Sequence, residues 1–343
     1  MDQIKASTAS ITARYPTGYA SPIAALKSGT LVVIRNTTIP ASPYDIWEGK
    51  ISDVTVNYGM PYTGGVGNAD FVTVTCEGFF ADLGRMNGAS YAMAADTIRN
   101  QTTAATTQSG VSIRWISNDG RLGGATTVSG TWADWVAKTC LSNNARMRDG
   151  AQMTTGNVNI DSPFNTIPCT YAFSDTPTGN DQKYDQINFD SLSDNYYTQA
   201  SVATESFGTT TVLASGATKP YRTYQVNTIN ASASQATDFA NYLISNYKTP
   251  KFAITSISAT AEQQSTFKLD QMVSIFSLYY YPGCSVNITF RGTTYSCIIE
   301  GVNMSATPNG TRFTFYVSGA DLNNYLILDD ATYGKLDSNK LGY

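Results

Sequence analysis

The stretch 44-YDIWEGKISDVTVNYG-59 has the period of a long β-strand. Val54, Val56 and Tyr58 fall on one face and Thr55 and Asn57 on the other, with a glycine, Gly49, near its middle. The segment 71-FVTVTCE-77 reads as its return, with Val72, Val74 and Cys76 sharing a face. A second stretch, 294-TYSCIIEGVNMSATPNG-310, also contains Glu-Gly, and a return, 312-RFTFYVSG-319, follows it. Asn309-Gly310 between these two strands is a hairpin signal.

Composition supports a β-rich reading. The 343 residues exceed the size at which one core usually keeps growing, so two domains are expected. Charged residues make up 14%, against about 25% in typical soluble domains. Ser, Thr and Asn supply the polarity, which suits strand faces and turns, and 22 Tyr and 14 Phe point the same way. The net charge is −4 and no basic run occurs, which argues against stable nucleic-acid binding. No apolar stretch reads as a signal peptide or a membrane span, so no membrane anchor is expected. The five cysteines (Cys76, Cys140, Cys169, Cys284 and Cys297) have no CxxC spacing and are expected to be thiols. There is no histidine, which excludes Ser-His and Cys-His nucleophilic catalysis and removes the commonest metal ligand. No cofactor motif or zinc spacing is present, and neither a cofactor nor a metal is expected.

Along the chain, 8–14 and 31–34 read as strands. The Ala-rich segment 90–101 reads as a helix, and 131–142 as a better one, opened by a Thr131/Asp134 capping box. Trp132, Trp135, Val136 and Cys140 share a face there, and the tryptophans are expected to pack between domains. Residues 148–184 are turn-rich and read as an extended connection with short strands. After strands near 184–192, 197–206 and 222–229, residues 232–250 form the strongest helical pattern. It has a Ser232/Gln235 box, a stripe of Ala236, Phe239, Ala240, Leu243 and Tyr247, and Pro250 as its stop. Strands at 252–258, 285–291, 294–304 and 312–319 complete the chain.

Two regions run through the same order of events. The first has Ser28-Gly29, LVVI, Glu48-Gly49, an outgoing strand, a loop, FVTVTCEG and Ala81-Asp82-Leu83. The second has Pro282-Gly283, SVNITF, Glu300-Gly301, an outgoing strand, TPNG, RFTFYVSG and Ala320-Asp321-Leu322. A duplicated β unit over 8–85 and about 187–320 is expected, with the strand after Gly49 matching the strand after Gly301. Two similar units per chain let a three-fold ring imitate a six-fold one.

Three stretches carry a family resemblance: 6-ASTASITARYPTGYASPIAALKSGTLVVIRN-36, the hairpin 44-YDIWEGKISDVTVNY-58 with 71-FVTVTCEGFFADLGR-85, and the terminus 325-YLILDDATYGKLDSNKLGY-343. With these the chain resembles the hub or minor tail proteins of long-tailed, siphophage-like bacteriophages, as found in phages of Actinobacteria. Gly78 departs from the hub pattern, which carries Asp there. The resemblance implies a mainly β chain (α+β) with two tail-tube-like β-barrel or sandwich domains, a flanking helix and an irregular helical middle segment. The domains expected are 1–88 (first barrel), 89–183 (helical and irregular connection), 184–328 (second barrel, with helix 233–247) and 329–343 (docking tail). The role implied is structural rather than enzymatic: a virion tail ring at the distal end of the tube, surrounding the DNA channel. Its partners would be copies of itself (a trimer, or alternatively a hexamer), the tail tube and the tip or fibre proteins, with transient passage of DNA. A distal tail ring protein is the close alternative.

Candidate sites are few. Tyr279, Tyr280 and Tyr281 are expected at a subunit interface; as a sugar-stacking run they would instead mark a carbohydrate- or receptor-binding module of the tail tip. Leu341 and Tyr343 are expected to dock the C-terminus on a neighbour. Asp329-Asp330 reads as an exposed acidic turn rather than a Ca²⁺ or hydrolytic pair, and Asp185, Asp190 and Asp194 as turn residues rather than a Ca²⁺ site. The four Asn-x-Ser/Thr sequons read as chance. An Asp-based hydrolase is the third reading, and the missing His and scarce Glu weigh against it.

Overall fold

The computed structural model describes residues 5–15, 26–36, 44–57, 70–116, 120–149, 157–161, 172–179, 181–190, 196–249, 253–261, 284–308 and 310–319. They form two compact units, the first drawn from Met1–Asn165 with Thr228–Ala231, the second from Thr166–Asn227, Ser232–Ile275 and Tyr280–Tyr343.

The first unit opens with β1 (Thr8–Tyr15), β2 (Leu31–Asn36), β3 (Tyr44–Asn57) and β4 (Asp70–Glu77), an antiparallel sheet in the order β1-β4-β3-β2. Alternation decides its faces: Ile51, Val72, Val74 and Cys76 are buried together, with Ala9, Val32, Trp47, Val54 and Val56 packed against them. Gly49 belongs to Trp47, because a Cβ there would sit 2.4 Å from the Trp47 ring and 2.4 Å from the Glu77 carbonyl oxygen.

The remainder of this unit is more helical. It comprises α1 (Phe79–Arg85), β5 (Ala92–Met93), β6 (Asp96–Thr97), α2 (Ile98–Ser109), β7 (Ser112–Trp115), β8 (Leu122–Gly123), β9 (Thr126–Thr127), α3 (Trp132–Ser142), β10 (Arg146–Asp149) and β11 (Asn157–Asp161). Strands β10-β11-β7 form a small sheet whose Ile113, Trp115, Val158 and Ile160 meet Leu83, Ile98, Val136 and Cys140 in one core. Trp132 and Trp135 lie in that core, so they pack within this unit rather than between domains; each is 3% exposed. They approach edge to face at 6.2 Å.

The helix expected over 90–101 starts later. Residues 92–97 contribute β5 and β6, and Thr97 caps α2 by accepting from the Asn100 backbone N–H at 3.2 Å. Alanine favours helix, but Thr97 supplies the N-cap and fixes the start. The threonines that follow, poor helix formers in isolation, return their hydroxyls to the helix: Thr103 to the Arg99 carbonyl at 3.0 Å, Thr106 to Thr102 at 2.9 Å and Thr107 to Thr103 at 3.0 Å. Helix α3 starts as its sequence implies. Thr131 and Asp134 exchange both capping bonds. Thr131→Ala is expected to cost about 1 kcal/mol in thermal or urea unfolding; no change would show that the core alone sets the start of α3.

The second unit contains β12 (Phe173–Ser174), β13 (Gln182–Lys183), β14 (Gln186–Asp190), β15 (Gln199–Thr204), β16 (Gly208–Leu213), β17 (Thr223–Thr228), α4 (Ala233–Tyr247), β18 (Ala253–Ala261), β19 (Ser285–Phe290), β20 (Thr293–Thr307) and β21 (Gly310–Ser318). Seven strands form one sheet, β13-β12-β19-β20-β21-β18-β14, and β16-β15-β17 form another, against which α4 packs. The Ser232 half of the expected box forms, accepting from Gln235 N–H at 3.2 Å. Ala236, Phe239, Ala240 and Leu243 are buried as the stripe requires, with Ile244 added. Phe173, Ile257, Ile288, Ile299, Phe313 and Phe315 are fully buried in the large sheet's inward layer. The fold is mainly β, with four helices among the described residues.

Candidate functional site

The two large sheets share more than strand order. In the first, β2-β3-β4-β1 lie side by side; in the second, β19-β20-β21-β18 do so with the same antiparallel senses. The register agrees across β3-β4-β1 and β20-β21-β18 and along β2 as far as Ile34, where β3 carries a further bulge at Ile46 that β20 lacks. Ile51 faces Cys76 and Ile299 faces Val317, and in both sheets the next residue, Ser52 or Glu300, is the extra one of a β-bulge. Val54 opposite Val74 opposite Ile11 then matches Val302 opposite Phe315 opposite Ile257. On the other side, Val32 and Ile34 match Val286 and Ile288. This register makes Ser10/Ser256, Ile11/Ile257, Ala13/Ala259, Val32/Val286, Ile34/Ile288, Ile51/Ile299, Val54/Val302 and Thr73/Thr314 identical pairs, most of them on the inward face.

The duplication is therefore real at the level of sheet geometry, but the Glu-Gly dipeptides do not mark it. Gly49 lies opposite Val32, as Cys297 lies opposite Val286, so Glu48-Gly49 sits four residues early relative to Glu300-Gly301. The shared feature is the bulge, whose signature is pairing rather than residue identity. The matching Ala-Asp-Leu of the second copy, at 320–322, lies outside the described residues.

Each sheet turns a polar face away from its apolar layer. In the first it carries Ser10, Thr12, Thr55, Asn57, Thr73 and Thr75; in the second, Ser256, Ser258, Asn303, Ser305 and Thr314 occupy matching positions, with Tyr316 in place of Thr75, and Ser256 and Ser258 are buried there. One cross-strand pair of hydroxyls recurs: Thr12 with Thr73 at 3.1 Å and Ser258 with Thr314 at 2.9 Å. Charges on these faces are few. In the first sheet, Lys50 and Glu77 sit opposite each other at one end, where Lys50 pairs with Asp82 at 2.6 Å and Arg85 pairs with Glu77. These partly exposed pairs neutralise that end and contribute little stability.

A second constellation lies where the first sheet meets α1. Asp149 on β10 accepts from Ser7 N–H and from Phe80 N–H, each at 2.8 Å, and Ser7 Oγ accepts from Trp47 Nε1–H at 3.0 Å. Gly78, the N-cap of α1, offers no side-chain cap, and a Cβ there would stand 2.2 Å from Asp149 Oδ2. The carboxylate that caps the first turn of α1 thus arrives from residue 149. Burial pushes the Asp149 carboxyl above the ordinary range, while the N–H donors of Phe80 and Ser7 pull the other way. Nothing local in the sequence pairs residues 142 positions apart.

Tyr279, Tyr280, Tyr281, Leu341, Tyr343, Asp329, Asp330 and Asp194 lie outside the described residues. Asp185 donates its backbone N–H to Ser258 O at 2.7 Å, and Asp190 ends β14. Among the described residues, no three His, Cys, Asp or Glu side chains group as metal ligands. Cys76, Cys140, Cys284 and Cys297 are buried thiols outside any disulfide; burial pushes the thiols of Cys76 and Cys140 up, which disfavours the reactive thiolate.

No family model matches the chain, and no curated protein matches its sequence. Solved structures do. The 43 kDa tail protein of prophage MuSo2 from Shewanella oneidensis is similar over 91% of this chain and 89% of its own, at 12% identity and a TM-score of 0.61. A tail protein from Neisseria meningitidis MC58 covers 84% of this chain and 87% of its own, at 10% identity and a TM-score of 0.57. A component of the E. coli type VI secretion system, described as structurally similar to T4 bacteriophage tail proteins, covers 93% of this chain and 71% of its own, at 9% identity and a TM-score of 0.53. The fold of this chain is the fold of phage tail proteins.

Proposed function

We propose that the chain is a structural protein of a phage tail, a hub or minor tail protein that closes into a ring around the DNA channel. The observation that carries this reading is the duplicated four-stranded sheet with its shared bulge and register, within a fold shared with phage tail proteins. Two equivalent sheets per chain let three chains present six similar surfaces to a six-fold tube. The polar faces then line the channel. DNA must pass without sticking, and phosphates bind clustered Lys and Arg. A wall of Ser, Thr and Asn, with Leu31, Val33, Phe71 and Tyr316 exposed on it and scattered charges, offers no such cluster. In this reading the protein resides in the virion tail, contacts the tube and the tip proteins, and uses Tyr279–Tyr281, Leu341 and Tyr343 in subunit contacts.

Cryo-electron microscopy of the assembled tail tests the proposal. The expected result is a three-fold ring with two sheets per chain and hydroxyl and amide side chains facing the lumen. A solitary copy in the tail would overturn the ring, six copies the three-fold arrangement, and a continuous Lys/Arg-lined lumen the channel assignment.

A further inference from the structure

Strand β2 is an edge of the first sheet among the described residues, and Leu31 and Val33 on its polar side are 45% and 41% exposed. An edge strand with exposed apolar residues is a template for pairing. The second sheet shows what the equivalent edge takes. There β19, the counterpart of β2, carries β12 alongside it in parallel, with Phe173 opposite Ile288 and Ser174 opposite Thr289. Phe173 and Ile288 are fully buried, whereas Ile34, the counterpart of Ile288, is only partly so.

We propose that β14 of a neighbouring copy of this chain fills that edge, pairing in parallel with β2. This rests on the ring reading above, and two further observations select β14. The first is direction. In a ring whose duplicated sheets follow one another in the same sense, the strand beyond β18 meets the β2 of the next copy. Strand β14 occupies that place, antiparallel to β18, as β2 would be to a β1 of its own sheet-sense, so β14 and β2 point the same way. The second is chemistry. The inward residues of β14 are Ile187 and Phe189, with Ile187 opposite Ile257. Matching inward faces in parallel places Ile187 beside Val32, Phe189 beside Ile34 and Asp190 beside Arg35. That register places Phe189, whose ring lies 5.0 Å from that of Phe290 in its own chain, beside Ile34 as Phe173 lies opposite Ile288, and sets Asp190 beside Arg35. A shift by two residues loses the charge pair, and a shift by one turns the apolar residues outward. The contact is heterologous, the type that closes a ring, and it completes a sheet that the single chain leaves open on this side among its described residues.

Cysteine pairs read the register directly. Val33 and Asn188 share the outward face, so V33C/N188C assembled under oxidising conditions is expected to give covalent multimers up to the full ring, with neither single variant nor V33C/I187C doing so. Paired residues on adjacent strands meet the disulfide distance window, and residues on opposite faces do not. Charge reversal gives a second readout: R35D is expected to weaken assembly about tenfold and R35D/D190R to restore it. Rings that assemble in the tail without this cross-link, or that cross-link equally through V33C/I187C, would overturn the β14–β2 pairing and leave the ring reading intact. Absence of any ring in the native tail would overturn both.

Discussion

Asp149→Ala is expected to cost about 3 kcal/mol of folding stability, read from urea unfolding of the full chain. The variant leaves the backbone N–H groups of Ser7 and Phe80 without their acceptor and the first turn of α1 without a cap. It also loosens the segment through which Trp47 reaches Ser7. Asp149→Asn keeps one acceptor oxygen and should cost less. The pair also separates charge from geometry. Burial raises the folded-state pKa of Asp149 above its unfolded value near 4. Its contribution is therefore fully present below the unfolded pKa and is lost as pH rises through the folded one. The stability difference between wild type and D149N should shift in favour of wild type as pH falls from 7 toward 4. A pH-independent difference would mean that Asp149 titrates alike in both states, and a loss under 1 kcal/mol for D149A would show that water replaces the carboxylate.

Gly78→Ala is expected to cost about 2 kcal/mol, from steric overlap alone. The backbone at Gly78 has φ −71° and ψ 174°, which any residue adopts. The obstacle is Asp149 Oδ2 at 2.2 Å and Ser7 Oγ at 2.4 Å from the added Cβ. The cost should thus depend on Asp149. In the D149A background, the cost of G78A should fall to what the Ser7 Oγ overlap alone imposes, giving a coupling of about 1 kcal/mol between the two positions. Additive losses would place the strain elsewhere.

Strands and capped helices were legible because their signals are local. The period of two identified β3, β4, β20 and β21, and the Thr131/Asp134 and Ser232/Gln235 pairs marked the starts of α3 and α4. What was misread depends on competition or distance. The start of α2 was set by the Thr97 cap against an alanine-rich run. Helix α1 spans seven residues, and its cap comes from another strand. The duplication was legible in strand order, but its register was not. The Glu-Gly match falls on a glycine that the Trp47 ring requires, while the true alignment rests on which residues face each other across the hairpins. The polar faces could be read from alternation once that register was known. The edge of β2 could not, since an edge is defined by what fails to pair with it.

The shared bulge also bears on how such a chain records its ancestry. Between Ile51 and its partner Cys76 lie more residues than between Ile299 and Val317, yet the pairing on either side of each bulge is the same. Between β3-β4 and β20-β21 the change in length lies at the hairpin end, whereas β3 also carries an extra residue, Ile46, within its pairing with β2. Along the strands, each position asks for little more than one of two classes, apolar inward or hydroxyl and amide outward, which is about one bit of information per residue. A constraint that loose lets sequences drift until little identity remains while the geometry persists. Structures that share this fold at 10% and 12% identity are what so loose a code permits, and the two sheets inside this one chain keep the same bulge with few identical residues.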